Sequence, residues 1–115
     1  MLKALPATTF STTTIWTEGV GQFTGVQLSD LIKAVAAEGF TLKATAINDY
    51  TIEIPMSDAI DGGPILAYEI DGKEMSVRKK GPLWIVYPYD LDNRYQSETI
   101  YSRSIWQLSS IEVQQ

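Results

Sequence analysis

Two residue types that carry much of enzyme chemistry are missing from this sequence, since its 115 residues include no Cys and no His. Without Cys the chain forms no disulfide and offers no thiolate to a substrate, a metal or an iron–sulfur cluster. Without His it lacks the usual general base and the commonest metal ligand. A serine triad of the ordinary kind and a typical zinc site are therefore excluded. The composition favours binding over catalysis.

Long uncharged apolar runs and an excess of positive charge are also absent. Nine Lys and Arg stand against fourteen Asp and Glu, a net charge of −5, whereas a general nucleic-acid binder needs a basic face. With 44% apolar and 20% charged residues, the composition is that of a globular domain rather than of a disordered chain or a membrane span. We expect one domain over residues 1–115. The first residues show no signal-peptide h-region, which leaves the compartment open.

Hydrophobic periodicity predicts an α+β domain dominated by the strands of a mixed sheet, with one main helix. Apolar residues recur at helical spacing over residues 28–36, and Gly39 stands where a helix C-terminal cap belongs. Asp71 and Gly72 suit the tight turn of a hairpin. A short helical segment is expected from Pro55. The predicted strands cover residues 8–16, 41–47, 50–54, 65–70, 73–77 and 83–87, with one or two more over 100–113 and a polar loop over 88–96.

Aromatic residues are concentrated late in the sequence. Half of the three Trp, six Tyr and three Phe lie between positions 84 and 106, namely Trp84, Tyr87, Tyr89, Tyr95, Tyr101 and Trp106. Such residues pack cores and strands, and they equally form a wall against which a flat heterocycle stacks. Because neighbouring residues of a strand face opposite sides, the six cannot all line one pocket.

Polar and charged side chains accompany these aromatics, at Asp90, Asp92, Asn93, Arg94 and Arg103. A carboxylate among them could accept two parallel hydrogen bonds from the amino-oxo edge of a pterin or purine, while a surface ion pair is the simpler role of each charge. The basic run at residues 78–80 suits a phosphate, an acidic partner or a solvated turn. Residues 48–50 either enter a cleft or simply turn the chain. The sequence contains no glycine-rich phosphate loop and no metal-loop spacing.

Five segments follow a recognisable pattern in a fixed order. Residues 23–32 resemble W-x-G-V-x-L-x-D-L-L, and residues 48–55 resemble D-x-Y-x-x-x-x-P. Residues 65–75 resemble L-L-A-Y-x-x-N-G-x-x-L, residues 81–88 resemble G-x-P-x-R-L-V-V-P, and residues 102–108 resemble a closing R-S-V-K-W-L. Together they resemble the molybdopterin-binding domain of the sulfite oxidase family, and the resemblance implies that family's α+β fold.

The departures from this family pattern concern its metal. The family's enzymes hold molybdenum through a Cys upstream of the first segment, and residues 10–16 have neither Cys nor Arg at that place. The resemblance therefore implies a domain that keeps a cradle for a pterin and lacks the usual metal attachment. It matches Tyr50 to the active-site Tyr, and Arg103 and Ser104 to the segment that contacts the pterin-phosphate portion. It places Trp16 near the missing Cys loop.

This combination resembles small Cys-less family members from proteobacteria, which are exported to the periplasm and thought to sense pterins for a membrane partner, a cyclic-di-GMP enzyme or a histidine kinase. The resemblance implies a periplasmic, non-catalytic pterin sensor that has no catalytic cofactor or metal, binds no nucleic acid and does not insert into the membrane. Two alternatives stay open, an oxidoreductase holding molybdenum through the dithiolene alone and a ligand-free interaction domain. The predicted ligand-binding residues are Trp16, Glu18, Asp49, Tyr50, Asp92, Tyr101, Arg103 and Ser104.

Overall fold

Two antiparallel sheets and two short helices share one hydrophobic core in the computed structural model, which describes residues 7–34, 41–60, 62–75, 81 and 83–114. The strands are β1 (Thr8–Thr13), β2 (Val20–Gln27), β3 (Thr41–Ala46), β4 (Thr51–Pro55), β5 (Ile65–Ile70), β6 (Lys73–Glu74), β7 (Trp84–Val86) and β8 (Leu108–Gln114). The helices are α1 (Leu28–Ala34) and α2 (Glu98–Arg103), and 3-10 turns lie at Met56–Asp58 and Asn93–Tyr95. No helix in the described ranges is long and apolar enough to cross a membrane.

Each sheet is organised around one central strand. In the larger sheet, β5 pairs with β2 along one edge and with β7 and β6 along the other, and β1 continues the sheet beyond β2. All three residues of β7 are buried, as its continuous apolar run predicts. In the smaller sheet, β3 lies between β4 and β8. Its burial alternates along the strand, so Leu42, Ala44 and Ala46 face the core.

The α+β class is confirmed, but three details of the predicted fold are wrong. Every strand pair in the described part of the chain is antiparallel, so the sheets are not mixed. The pattern predicts no strand at β2, because Gly21 and Gly25 interrupt the β-branched and aromatic residues that identify strands. It also predicts one main helix, whereas α2 is a second one where a strand was expected. Ser97 caps α2 by accepting a hydrogen bond from the Ile100 amide at 3.3 Å.

Several predicted elements are close to what the structure shows. The hairpin of β5 and β6 turns at Asp71 and Gly72, which have positive φ values of 53° and 81°. The first strand ends at Thr13 rather than at residue 16, because the chain turns at Ile15 and Trp16. The end of the predicted main helix, with its cap at Gly39, lies outside the described residues, as does the basic run at 78–80.

Gly25 occupies a β-bulge where two backbones approach closely. The register of β2 against β5 shifts between Thr24 and Gly25. A Cβ at Gly25 would lie 2.6 Å from the Cα of Ala67 and would overlap the carbonyl group of Leu66. Both neighbours are backbone atoms within the larger sheet and cannot rotate aside as a side chain would. The glycine of the first family-like segment is therefore required by packing.

We expect Gly25→Ala to lower the free energy of unfolding by about 3 kcal/mol, the upper end of the range for overpacked sites. Gly19→Ala is the matched control, because a Cβ there would meet nothing within 4 Å and only its positive φ of 67° opposes the change. That conformation costs about 1 kcal/mol. Urea unfolding of both variants measures the difference, and equal losses would contradict the close-approach explanation.

Candidate functional site

A cleft of about 510 Å³ opens between the β3–β4 turn, the segment after β1, and the stretch from α2 to β8. Its volume falls within the range of small-molecule sites. Aromatic and apolar side chains dominate the lining, with a few polar groups among them, which is the usual composition of a site for an organic ligand. The lining residues are Ile15, Trp16, Ala46, Asn48, Tyr50, Glu98, Tyr101, Ser102, Ser104, Ile105, Trp106 and Gln107.

An aromatic cluster centred on Trp16 forms one wall of this cleft. The Trp16 ring centroid lies 5.3 Å from that of Trp106 and 5.8 Å from that of Tyr101. It lies 5.9 Å from the Trp84 centroid and 6.3 Å from the Tyr89 centroid. All four contacts are edge-to-face, a geometry favourable by about 0.5–1.5 kcal/mol per pair beyond the buried area. The indole is therefore held in one orientation by the four neighbouring rings.

Ser104 joins the elements beneath the aromatic cluster. Its hydroxyl donates to the Ile100 carbonyl at 3.0 Å and accepts from the Tyr89 hydroxyl, and its carbonyl accepts from the Trp84 indole N–H at 3.2 Å. Burial raises the pKa of Tyr89 to about 12, so this phenol stays protonated and donates at neutral pH. Ser104 therefore lines the cleft mainly as a structural joint between α2 and β7.

The β3–β4 turn brings two side chains to the opposite side of the cleft lining. Asp49 adopts a left-handed φ of 68°, and its amide donates to the Ala46 carbonyl at 3.0 Å. The Asn48 side-chain oxygen accepts from the Tyr50 amide at 3.2 Å. The NH2 group of Asn48 can therefore donate to a ligand. Tyr50 is 53% exposed, so its ring and hydroxyl are accessible.

A polar clasp holds the end of β1 against the loop that follows β7. The Asp90 carboxylate accepts from the amide and the hydroxyl of Thr13, both at 2.7 Å. In return, the Asp90 amide donates to the Thr12 hydroxyl at 3.1 Å. The hydrogen bonds from Thr13 lower the pKa of Asp90 below its usual value. Because Trp16 follows Thr13 closely in the chain, the clasp positions the aromatic wall.

A side pocket of about 340 Å³ adjoins the cleft. The two cavities share Ile15 and Tyr101, which separate them, and the other side-pocket residues are Thr13, Thr14, Tyr89, Asp90 and Gln96. Gln96 is fixed there because its side-chain amide donates to the Tyr89 carbonyl at 2.9 Å. The side pocket is thus more polar than the cleft, and Asp90 is its charged group.

The structure brings together four of the eight predicted ligand-binding residues. The four that line the cleft are Trp16, Tyr50, Tyr101 and Ser104. Glu18 and Asp49 are exposed in turns and do not line it. Asp92 is engaged in capping the 3-10 turn, where its carboxylate accepts from the Arg94 amide at 3.0 Å and pairs with the Arg94 guanidinium at 3.2 Å.

Arg103, the fourth predicted residue outside the lining, has a partner within the protein. Its guanidinium lies 2.9 Å from the Asp58 carboxylate, and the same oxygen accepts from the Tyr87 hydroxyl at 2.9 Å. Burial, followed by the neighbouring Asp58 charge, raises the pKa of Tyr87, so its hydroxyl is a donor at any physiological pH. This arrangement ties the end of α2 to the 3-10 turn at Met56–Asp58.

Several lining residues escape the sequence prediction. Glu98 and Ser102 belong to α2, and the overlooked signal was Ser97, an N-cap residue directly before Glu98. Gln107 has a left-handed φ of 53°, a conformation that the local sequence does not predict for a glutamine. Ile15 lines the cleft although it is 61% exposed, a position that hydrophobic periodicity does not identify.

The sequence matches the model of a known protein family over most of its length. Residues 6–95 match the model described as the oxidoreductase molybdopterin binding domain. The chain belongs to this family. The sulfite oxidase-like resemblance is thereby confirmed, although the match stops before α2 and does not include the segment with Arg103 and Ser104. No curated protein matches the chain.

The residues of this molybdopterin-binding domain do not fit a molybdenum centre of the thiolate-ligated kind. The chain has no Cys, and no cluster of three or more Asp or Glu that could hold a metal occurs in the described part. In contrast, the aromatic wall of Trp16, Tyr101 and Trp106 suits a flat bicyclic ring. The pterin ring of the family's cofactor therefore fits this cleft better than its metal does.

We expect Arg103→Ala to lower the free energy of unfolding by about 1–3 kcal/mol, because Asp58, whose side chain is 17% exposed, loses its cation. Arg94→Ala is the matched control, since Arg94 is 62% exposed and its pair with Asp92 contributes about 0–1 kcal/mol. Thermal unfolding measures both. The folded Arg103 variant should bind a ligand as tightly as the wild type does. A large loss of affinity in a fully folded variant would show that Arg103 belongs to the binding site.

A second prediction concerns the clasp. A carboxyl whose pKa is lowered by folding stabilises the fold above its unfolded pKa, near 3.9, and loses this contribution as the pH falls through the folded value. We therefore expect Asp90→Asn to be less stable than the wild type at pH 6 and the difference to shrink below about pH 4. Melting temperatures from pH 2 to 7 measure it. A difference that stays constant with pH would show that the Asp90 charge does not stabilise the clasp.

Proposed function

We propose that this chain is a non-catalytic pterin-binding domain that acts as a periplasmic sensor. Its ligand would be a pterin held in the cleft, and its partner would be the extracytoplasmic domain of a membrane signalling protein, a cyclic-di-GMP enzyme or a histidine kinase. The observation that carries the proposal is a preformed aromatic cleft in a molybdopterin-binding domain that has no Cys to attach the metal.

The geometry of the cleft supports a flat, hydrogen-bonding ligand. The aromatic wall around Trp16 provides a rigid apolar surface, and Tyr50 provides a second ring from the β3–β4 turn. A pterin also needs partners for its amino-oxo edge, and a carboxylate can accept two parallel hydrogen bonds from such an edge. In the cleft Glu98 is positioned for this role, which the sequence prediction gave to Glu18, Asp49 or Asp92. Asn48 can donate from the turn.

Exposed apolar side chains at the rim of the cleft support the proposal that the domain binds a partner protein. Ile15, Ile47 and Tyr50 are 61%, 49% and 53% exposed, and they lie on the two chain segments that flank the opening. We propose that these three side chains contribute to a docking surface for the partner. A ligand in the cleft would contact the same segments, so it would change the equilibrium between states that bind the partner and states that do not. The periplasmic location and the signalling partner follow from the resemblance to Cys-less family members.

We expect saturable one-to-one binding when the protein is titrated with the reduced and oxidised forms of 6-hydroxymethylpterin. Calorimetry and Trp fluorescence measure the binding. Tyr50→Ala should weaken binding about 2- to 10-fold, because one aromatic contact contributes about 0.5–1.5 kcal/mol. Since Tyr50 is 53% exposed, the variant should remain folded. Leu91→Ala, at a residue that is 78% exposed and outside the lining, is the control and should bind as the wild type does.

The two alternatives give different results in the same experiments. An oxidoreductase that holds its metal through the dithiolene alone would be purified from a molybdenum-competent host with stoichiometric molybdenum, and we expect none. A ligand-free interaction domain would bind no pterin of any oxidation state. Absence of binding together with intact folding would therefore overturn the sensor proposal in favour of a pure interaction domain.

A further inference from the structure

The charged residues that line the cleft and the side pocket in the described part of the chain are both acidic. Glu98 is the charged residue of the cleft lining, and Asp90 is that of the side pocket. Neither lining includes a Lys or an Arg among the residues that the structure describes. Among the described lining residues, an anion placed in either cavity would meet a carboxylate and no cation.

The cations of the described chain are located elsewhere. Arg103 is paired with Asp58, and Arg94 is paired with Asp92 and lies 4.9 Å from the centroid of the Tyr95 ring. Lys33 is on α1, Lys43 on β3 and Lys73 on β6, and none of them lines either cavity. The protein carries a net charge of −5, so its overall field adds to the repulsion of anions.

The side pocket stays negative across the physiological range. Asp90 receives two hydrogen bonds from Thr13 at 2.7 Å, and these favour its ionised form and lower its pKa. Its carboxylate keeps acceptor capacity beyond these two bonds, because an ionised carboxylate has about four lone-pair sites. A neutral hydroxyl or an ammonium group in the side pocket can donate to Asp90. A phosphate cannot.

We propose that the cleft and its side pocket select an uncharged or cationic pterin and reject one that carries a phosphate ester. This inference rests on the proposed pterin-binding function and names the class of its ligand. A phosphate monoester carries a charge of about −1.5 to −2 at pH 7. Placed near Glu98 or Asp90, both of which are exposed, it would be repelled by a carboxylate and would gain no cation from the described lining. The phosphate-bearing cofactor of the family is therefore a poor ligand for this member.

The test compares two ligands with the same ring. The intact protein is titrated with 6-hydroxymethylpterin and with its phosphate monoester at low salt, about 0.01–0.02 M, where exposed charges are weakly screened. We expect the ester to bind at least about 10-fold more weakly than the neutral pterin. This affinity gap, the ratio of the two dissociation constants, should narrow at about 0.2 M salt. Glu98→Gln should narrow the gap, and Glu98→Lys should narrow it further by supplying a cation. Glu53→Gln, an exposed residue of β4 outside both linings, is the charge-matched control and should leave the gap unchanged.

The outcomes separate this inference from the proposed function. If the neutral pterin binds and its ester binds equally well or better, the charge selection is wrong and the pterin-binding function stands. If the ester is weaker but the gap is insensitive to salt and to both Glu98 variants, size rather than charge excludes it, and the inference is again overturned. If neither ligand binds a folded protein, the proposed function fails, and the inference fails with it.

Discussion

Trp16 packs edge-to-face against rings from β7, the loop after β7, α2 and the bridge residue Trp106. These contacts join the segment that follows β1 to a stretch that lies some seventy to ninety residues later in the chain. The cleft lies where they meet. Each ring contact is small, but several rings that share one neighbour restrict its orientation more than any single pair would. The position of the cleft follows from this cluster.

The aromatic cluster depends in turn on polar contacts that hold its backbone in place. The clasp between Asp90 and the end of β1 fixes the chain just before Trp16, and Ser104 holds Tyr89 and Trp84 from below. In the described part of the chain, no buried side-chain nitrogen or oxygen lacks a hydrogen-bond partner. The base of the cleft is therefore saturated with internal hydrogen bonds. Asn48, Tyr50 and Glu98 line its open side, where their side chains are exposed.

Those parts of the fold that carry a local pattern could be predicted from the sequence. The β5–β6 hairpin has the Asp71-Gly72 turn, and β7 has a continuous apolar run, so both are found where expected. β2 could not be predicted because the glycine it needs for close approach to β5 is a residue that weakens the strand pattern. α2 is six residues long, too short for helical periodicity to show.

In the candidate site, too, some residues could be predicted from the sequence and others could not. The aromatic residues could be identified from composition, and in the structure they divide between the core and the lining of the cleft. Trp84 is 1% exposed and belongs to the core, whereas Tyr101 and Trp106 are partly buried and line the cleft. The charged residues could not be assigned, because a carboxylate or guanidinium looks the same in sequence whether it faces a ligand or a partner in the protein.

Arg103 and Ser104 show why the sequence alone does not assign polar side chains to the cleft. They are adjacent in the chain, and one family-like segment assigns both to the ligand. At the end of α2 successive side chains point in different directions, so Ser104 lies at the base of the cleft while Arg103 reaches Asp58 on the neighbouring 3-10 turn. With its guanidinium on Asp58, Arg103 does not line the cleft, and the described lining contains Glu98 and no cation. The ion pair that secures α2 therefore also leaves the described lining of the cleft with a negative charge.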